Sequence, residues 1–284
     1  MVRDIAVCGP GAAASSQNCA MRKNAASPPP APADKNFVAS LQKGLDVLTC
    51  FGRDASKLTL SEVARLTGSS PASARRSLHT LHALGYLESD GKRFWMAPRA
   101  LLVAHSYLAS RPTPQLAQPL LDVLSERTRE SASLGKLLDD DVIIIARSTA
   151  RRSLSTGLGI GSRLPAYCSA LGRVLLASLP PEEAARRVRA MHRVALTPRT
   201  MHRADEVLAL VRQCREQGWS GNDGELEMGV RSMAAPVLDR DGRTVAGLSI
   251  SVRAERMSFG EFRAAFLPAL LKARDSLAKQ LLPE

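Results

Sequence analysis

The sequence predicts an α+β protein of two modules, a winged helix-turn-helix followed by a larger sensor-like domain. Three observations carry this. Between Thr59 and Met96 the local signals run helix, tight turn, helix, hairpin. Beyond the proline break at Arg111-Pro-Thr-Pro114, segments of helical and strand period alternate to the end of the chain. At 284 residues and 45% hydrophobic content, there is material for two ordinary cores, and an aromatic content of 4% makes them mostly Leu, Val, Ile and Ala.

Residues 1–35 read as a disordered tail, rich in Ala, Ser, Gly and Pro and ending in Ser27-Pro-Pro-Pro-Ala-Pro. Either Met1 or Met21 could be the start. Residues 36–97 form the first domain. Its opening helix spans Phe37 to Phe51, with Leu41, Leu45 and Leu48 at helical spacing and Val38 and Phe51 extending the stripe. The next helix is capped at both ends: Thr59 and Glu62 make a capping box, and Gly68 follows the last apolar residue. The third starts at Ser70-Pro71, an N-cap followed by a proline whose missing N–H costs nothing there. Ala74, Leu78, Leu81 and Gly85 mark its buried face. Asp90-Gly91 then reads as a two-residue hairpin turn joining Tyr86–Ser89 to Lys92–Met96.

This order makes the first domain a binder of double-stranded DNA. In a helix-turn-helix the N-terminal part of the second helix meets base edges in the major groove. That places Ser73, Arg75, Arg76 and His79 at the groove, with Lys92 and Arg93 at the wing tip reaching the phosphate backbone. Phe94, Trp95 and Met96 are expected to pack beneath the wing.

Residues 98–112 form a linker helix, Pro98 to Ser110, with Leu101, Leu102, His105 and Leu108 on one side; such a helix joins modules or pairs with its twin. His105 is expected to be packed there. The second domain, 113–284, opens with Thr113 as N-cap and a helix from Gln115 to Arg129. Strands follow at Ser133–Leu138, Val142–Ala146 and Ser153–Leu158, then a loop at Gly159–Pro165. Helices are expected at Ser169–Leu179, Glu182–Met191 and Ala204–Gln217, a hairpin at Val230–Leu238 and Thr244–Val252, and a closing helix from Phe259 to Leu282. Helices bracketing an antiparallel sheet leave one sheet face able to hold a small molecule.

The formal net charge of +12 favours a polyanionic partner, although an arginine-rich composition gives the same balance. Five scattered cysteines, Cys8, Cys19, Cys50, Cys168 and Cys214, suit free thiols in a reducing cytoplasm. No apolar run approaches the roughly 20 residues of a membrane span, and the N-terminus does not read as a signal peptide.

At Gly157-Leu-Gly-Ile-Gly-Ser-Arg-Leu-Pro-Ala-Tyr-Cys-Ser-Ala-Leu-Gly-Arg-Val-Leu-Leu-Ala177, Asn222-Asp-Gly-Glu-Leu-Glu-Met-Gly-Val-Arg-Ser-Met-Ala-Ala-Pro-Val237 and Gly247-Leu-Ser-Ile-Ser-Val252 the chain resembles the IclR family of bacterial transcription regulators. The resemblance runs from Phe37 to Leu282, and Gly161-Ser-Arg-Leu-Pro-Ala-Tyr with Asp223-x-Glu-Leu-Glu is most similar to the branch controlling aromatic-acid breakdown through the β-ketoadipate pathway. It implies a homodimer or tetramer on a palindromic operator, with a GAF-like domain that binds a small carboxylate such as protocatechuate, 4-hydroxybenzoate or β-ketoadipate. RNA polymerase would be a further partner of an activator.

The family's pocket positions fall on Ala170, Leu171, Asn222, Ser232, Ser249 and Ser251, where Asn222 replaces a residue often acidic and Ser232 one often cysteine. Those departures leave the effector open, and another small-acid pathway is the alternative. A carboxylate needs a cation, and spacing does not choose among Arg147, Arg152, Arg163 and Arg173. An enzyme acting on a small acid is the reading from another class. Against it, Ser133-Leu-Gly-Lys136 lacks its companion motifs, and nothing assembles nucleophile, base and oxyanion donors. No cofactor, metal site or catalytic residue is expected.

Overall fold

A computed structural model describes residues 35–52, 55–149 and 157–281. It divides into two compact units between Ser106 and Tyr107, within the connecting helix.

In the first unit α1 (Ala39–Thr49), α2 (Leu60–Thr67) and α3 (Pro71–Ala83) surround a small core of Val47, Val63, Ala74, Leu78 and Leu81. The caps are as expected. The Glu62 amide donates to the Thr59 hydroxyl at 3.3 Å, and the Glu62 carboxylate accepts the Thr59 amide at 2.8 Å. Those bonds to the charged form hold the Glu62 carboxyl below its ordinary range. Gly68 closes α2 in the left-handed region at φ +64°. Strands β1 (Leu58–Thr59), β2 (Leu87–Ser89) and β3 (Arg93–Met96) form a sheet in the order β1-β3-β2; β1 is an addition that two residues of pattern could not announce.

Two expectations are corrected here. Ser89 pairs with Phe94 and the Asp90 amide donates to the Arg93 carbonyl, so the tip of the wing is Gly91-Lys92, one residue later than read from Asp90-Gly91. Gly91, at φ +91°, takes the conformation the turn needs. The stripe of α1 also divides. Val47 and Cys50 face the core, while Leu41 and Leu45 stand more than half exposed.

The connector is a 3₁₀ turn, Pro98–Ala100, running into α4 (Leu101–Ser110), which buries no residue. His105 is exposed there, not packed. Helix α5 (Pro112–Thr128) takes Arg111 as N-cap and Pro112 at its first position. The cap-plus-proline logic therefore operates two residues before the expected Thr113-Pro114, and Thr113 is buried.

The second unit is built on a six-stranded antiparallel sheet in the order β6-β5-β4-β9-β8-β7. Its strands are β4 (Ser131–Leu138), β5 (Asp141–Ser148), β6 (Arg163–Pro165), β7 (Ser220–Asp223), β8 (Val230–Leu238) and β9 (Thr244–Arg253). Two sequence readings change. Arg163–Pro165 is an edge strand instead of loop, and Ser220–Asp223 adds a strand at the other edge. Both are short and paired at long range, which local periodicity does not register. Most of the expected strand Ser153–Leu158 lies outside the described residues.

Helix α5 and the closing helix α9 (Phe259–Ala278) cover one sheet face over Leu134, Ile145, Met233, Leu248 and Ile250. Helix α6 (Ala170–Ala177) covers part of the other, backed by α7 (Pro181–Ala190) and α8 (Ala204–Gln217). It lies close because the sheet is bare beneath it: a Cβ on Gly247 would meet Leu171 Cδ2 at 2.9 Å and Val174 Cγ2 at 3.2 Å, and one on Gly135 would meet Leu171 Cδ1 at 3.4 Å.

Candidate functional site

The first unit presents one outward surface on α3. Ala72, Arg75, Arg76, His79, Thr80 and Ala83 are exposed along it. Neither Arg75 nor Arg76 pairs with a carboxylate among the described residues. Ser73 departs from the expected set. It is buried at 9% exposure on the inner face, its amide donating to the Ser70 hydroxyl, so it serves the cap and does not face outward. Thr80, which the sequence reading passed over, shares the outward face one turn beyond Arg76 and donates to the Arg76 carbonyl at 2.9 Å.

The wing is held by Asp90, whose Oδ1 accepts the amides of Lys92 at 3.0 Å and Arg93 at 2.8 Å. Those bonds keep the Asp90 carboxyl below its usual range. Lys92 and Arg93 project into solvent at the tip. Behind them Phe94 packs on the core. Trp95 donates Nε1–H to Glu88 at 2.7 Å and carries Lys57 Nζ 4.1 Å from its ring centre, while Met96 is exposed. A winged helix of this form offers free cations at a helix N-terminus and at a hairpin tip, the two places that meet bases and phosphates.

In the second unit the strand register assembles a polar surface on the sheet face that α6 covers. Side chains directly across antiparallel strands share a face. One row runs Asn222–Ser232–Ser251–Ser131 across β7, β8, β9 and β4. The next runs Ser220–Ala234–Ser249–Ser133–Arg147 and reaches β5. A third, Pro236–Gly247–Gly135, lies under Leu171. The polar rows therefore sit beside the covered strip, near the first turn of α6. There Ser169 caps the helix by accepting the Gly172 amide at 3.1 Å, and Ala170 and Leu171 are buried. Five of the six effector positions, Ala170, Leu171, Ser232, Ser249 and Ser251, are brought to this region, and Ser131 and Ser133 join them. Two residues apart on β4, that pair carried a period-2 signal, but only the register shows which face it occupies.

Asn222 shares the first row, yet both ends of its amide are committed. Nδ2 donates to the Cys168 carbonyl, and Oδ1 accepts the Glu225 amide at 3.2 Å. It ties the segment before α6 to the loop after β7. That loop is held again by Arg173, which is 1% exposed and bidentate to Glu225 at 2.6 and 2.5 Å. The Thr197 and Thr200 hydroxyls donate to the Gly224 and Glu225 carbonyls at 2.7 and 2.6 Å. Burial pushes the Cys168 thiol up to about 12, so this cysteine is a packing residue.

Among the four candidate cations, Arg173 is spent on Glu225, and Arg163 pairs with Asp141 at 2.6 Å on the edge strand. Arg152 lies outside the described residues. Arg147 stands in the second polar row, with Nη1 donating to the Ser133 hydroxyl at 2.6 Å. Among the described residues no three His, Cys, Asp or Glu side chains cluster as a metal site, and no helix is long and apolar enough to cross a membrane.

A winged helix with unpaired arginines, together with a separate sheet domain carrying a polar face, defines a transcription regulator that joins a DNA-binding module to an effector domain. Comparison with known proteins agrees. Residues 40–91 match the IclR helix-turn-helix domain, and residues 105–279 match the bacterial transcriptional regulator IclR C-terminal domain. The chain belongs to the IclR family.

It is 39% identical over 249 residues to the Pca regulon regulatory protein of Pseudomonas putida, covering 87% of this chain and 86% of that one. Among solved structures, a transcriptional regulator from Rhodococcus sp. RHA1 is 40% identical with a TM-score of 0.73, over 86% of this chain and 98% of the other. The inducer-binding domain of the PobR transcription factor from Acinetobacter, a double mutant complexed with 3-hydroxybenzoic acid, is 28% identical with a TM-score of 0.56, over 59% of this chain and 98% of that domain.

Proposed function

We propose that this regulator controls genes for the breakdown of aromatic compounds and that a small carboxylic acid of such a pathway is its effector. The observation that carries this is the pair of polar rows beside the first turn of α6, where serine hydroxyls of β4, β8 and β9 share one sheet face with Arg147 of β5. Free N–H groups at a helix start and serine hydroxyls suit a carboxylate. The likeness to the Pca regulon regulatory protein and to an inducer-binding domain holding 3-hydroxybenzoic acid supports the aromatic class. In this reading Ala170, Leu171, Ser232, Ser249 and Ser251 contact the acid, and Asn222 fixes the walls.

On DNA, Arg75, Arg76 and His79 enter the major groove and Lys92 and Arg93 grip the backbone of a palindromic operator. Two copies are required for that symmetry. The exposed Leu41 and Leu45 of α1 and Leu101, Leu102 and Val103 of α4 give a second copy an apolar surface to cover, as a dimer or within a tetramer. The protein works in the cytoplasm, binds its acid without turning it over, and recruits RNA polymerase where it activates.

The test is a thermal-shift panel of protocatechuate, 4-hydroxybenzoate, β-ketoadipate, shikimate and pyruvate, followed by operator binding with and without the acid that shifts. Stabilisation by an acid of the aromatic pathway, with altered operator affinity, is expected. A shift with pyruvate alone would move the protein to another pathway, and consumption of the acid would make it an enzyme.

A further inference from the structure

We infer that Thr80 reads the 5-methyl group of a thymine in each operator half-site, one helical turn along α3 from a guanine held by Arg76. This rests on the reading above that α3 enters the major groove, and it adds a base that the arginines of the helix cannot select.

The first ground is position. Ala72, Arg76 and Thr80 are exposed and stand four residues apart on one ridge of α3. Four residues advance a helix by about 6 Å, and base pairs rise by about 3.4 Å, so neighbouring ridge positions meet the groove about two base pairs apart.

The second ground is what the side chain presents. The Thr80 hydroxyl donates to the Arg76 carbonyl at 2.9 Å. With that proton spent on its own helix, it has none to give the acceptors of the groove, the O4 of thymine, the O6 of guanine and the N7 of either purine. The other branch of the side chain is a methyl group. The ridge as a whole then carries one polar head, Arg76, among apolar groups, because Ala72 precedes it and Leu84, which is 53% exposed, follows Thr80. The apolar group that the major groove offers is the thymine methyl.

The third ground is reach. Threonine is short and touches a base only if the backbone comes close. Ala83, on the next turn of the outward face, adds only a methyl, and Ser73 is turned to the inner face. The long side chains on that face, Arg75, Arg76 and His79, are polar and suit the bases and phosphates beside the thymine.

The experiment selects duplexes from a randomised pool with the full-length protein. Each thymine of the enriched sequence is then replaced in turn by deoxyuridine, which removes the methyl and keeps the base pair. At fixed salt, one replacement in a half-site should weaken wild type by about fourfold, the worth of one buried methyl, at a thymine about two base pairs from the guanine that Arg76→Ala ceases to distinguish. Thr80→Ser, which keeps the hydroxyl and loses the methyl, should weaken the thymine duplex by a similar factor per half-site and no longer sense deoxyuridine there. Thr80→Val, which keeps the methyl and loses the hydroxyl, should bind as wild type does and keep that sensitivity.

Undiminished sensitivity to deoxyuridine in Thr80→Ser overturns the assignment, and so does the absence of any thymine whose methyl is felt. Loss of affinity in Thr80→Val equal to that in Thr80→Ser overturns it as well, by showing that the hydroxyl accepts from a cytosine or adenine amino group. Failure of Arg76→Ala to weaken the selected duplex sinks the groove reading of α3 itself, a result separate from any of these.

Discussion

Arginine is used in opposite ways in the two units. On the outward face of α3, Arg75 and Arg76 are exposed and unpaired among the described residues. In the second unit the guanidinium groups are largely committed. Arg173 is bidentate to Glu225, Arg163 pairs with Asp141, Arg231 bonds Asp223 at 2.7 Å and Arg256 pairs with the buried Glu130. The lesson concerns net charge. The +12 of the whole chain does not by itself locate a polyanionic partner; what points to one is the position of Arg75 and Arg76, exposed on the outward face of a helix-turn-helix. Paired arginines in the second unit build the site's walls.

The largest test of that contrast is Glu225→Ala. It would strand the buried Arg173 charge, and unpairing a buried ion pair costs about 3–5 kcal/mol. Denaturant unfolding should show the second unit destabilised by that order, with the winged helix still binding operator. A loss well under 1 kcal/mol would show that water reaches Arg173.

Arg76→Ala is the mirror experiment. It should leave unfolding unchanged and weaken operator binding by about 1–3 kcal/mol, roughly ten- to a hundredfold. Effector binding should not move. Unaltered operator affinity would remove Arg76 from the interface.

Asn222→Asp sharpens the comparison at one atom. A carboxylate cannot donate to the Cys168 carbonyl, and it would face Glu225 nearby, so about 1–3 kcal/mol of stability should be lost. Retained stability would mean the segment before α6 finds another donor. Thr59→Ala removes the cap of α2 and should cost about 1 kcal/mol. The smallest effect is expected from Lys92→Ala, which should weaken binding to all sequences alike and reduce the salt slope by about 1. An altered sequence preference would place Lys92 on a base edge instead.

Legibility followed the range of the interactions. The capping box at Thr59 and Glu62, the Ser70-Pro71 start and the Gly68 stop are satisfied within a few residues, and the structure keeps all of them. The wing turn slipped by one residue because Asp90-Gly91 and Gly91-Lys92 both place a glycine at the tip, and only pairing of Ser89 with Phe94 chooses. The Arg111–Pro114 segment held two proline starts, and packing of Thr113 selected the earlier. Ser73 lies at the edge between the faces of α3, where burial and not spacing decides.

The sequence by itself determined the winged helix, its outward basic face and the alternation of the second unit, because these depend on the 3.6- and 2-residue periods and on caps closed locally. Tertiary structure alone decided how the sheet is ordered and which side chains of distant strands share a face. Ser131, Ser133 and Arg147 meet Ser249 and Ser251 across strands more than a hundred residues apart in sequence, through the register of β4 with β5 and β9. Register is set by hydrogen bonds between distant backbones, and no local pattern in one strand encodes the partner it will face.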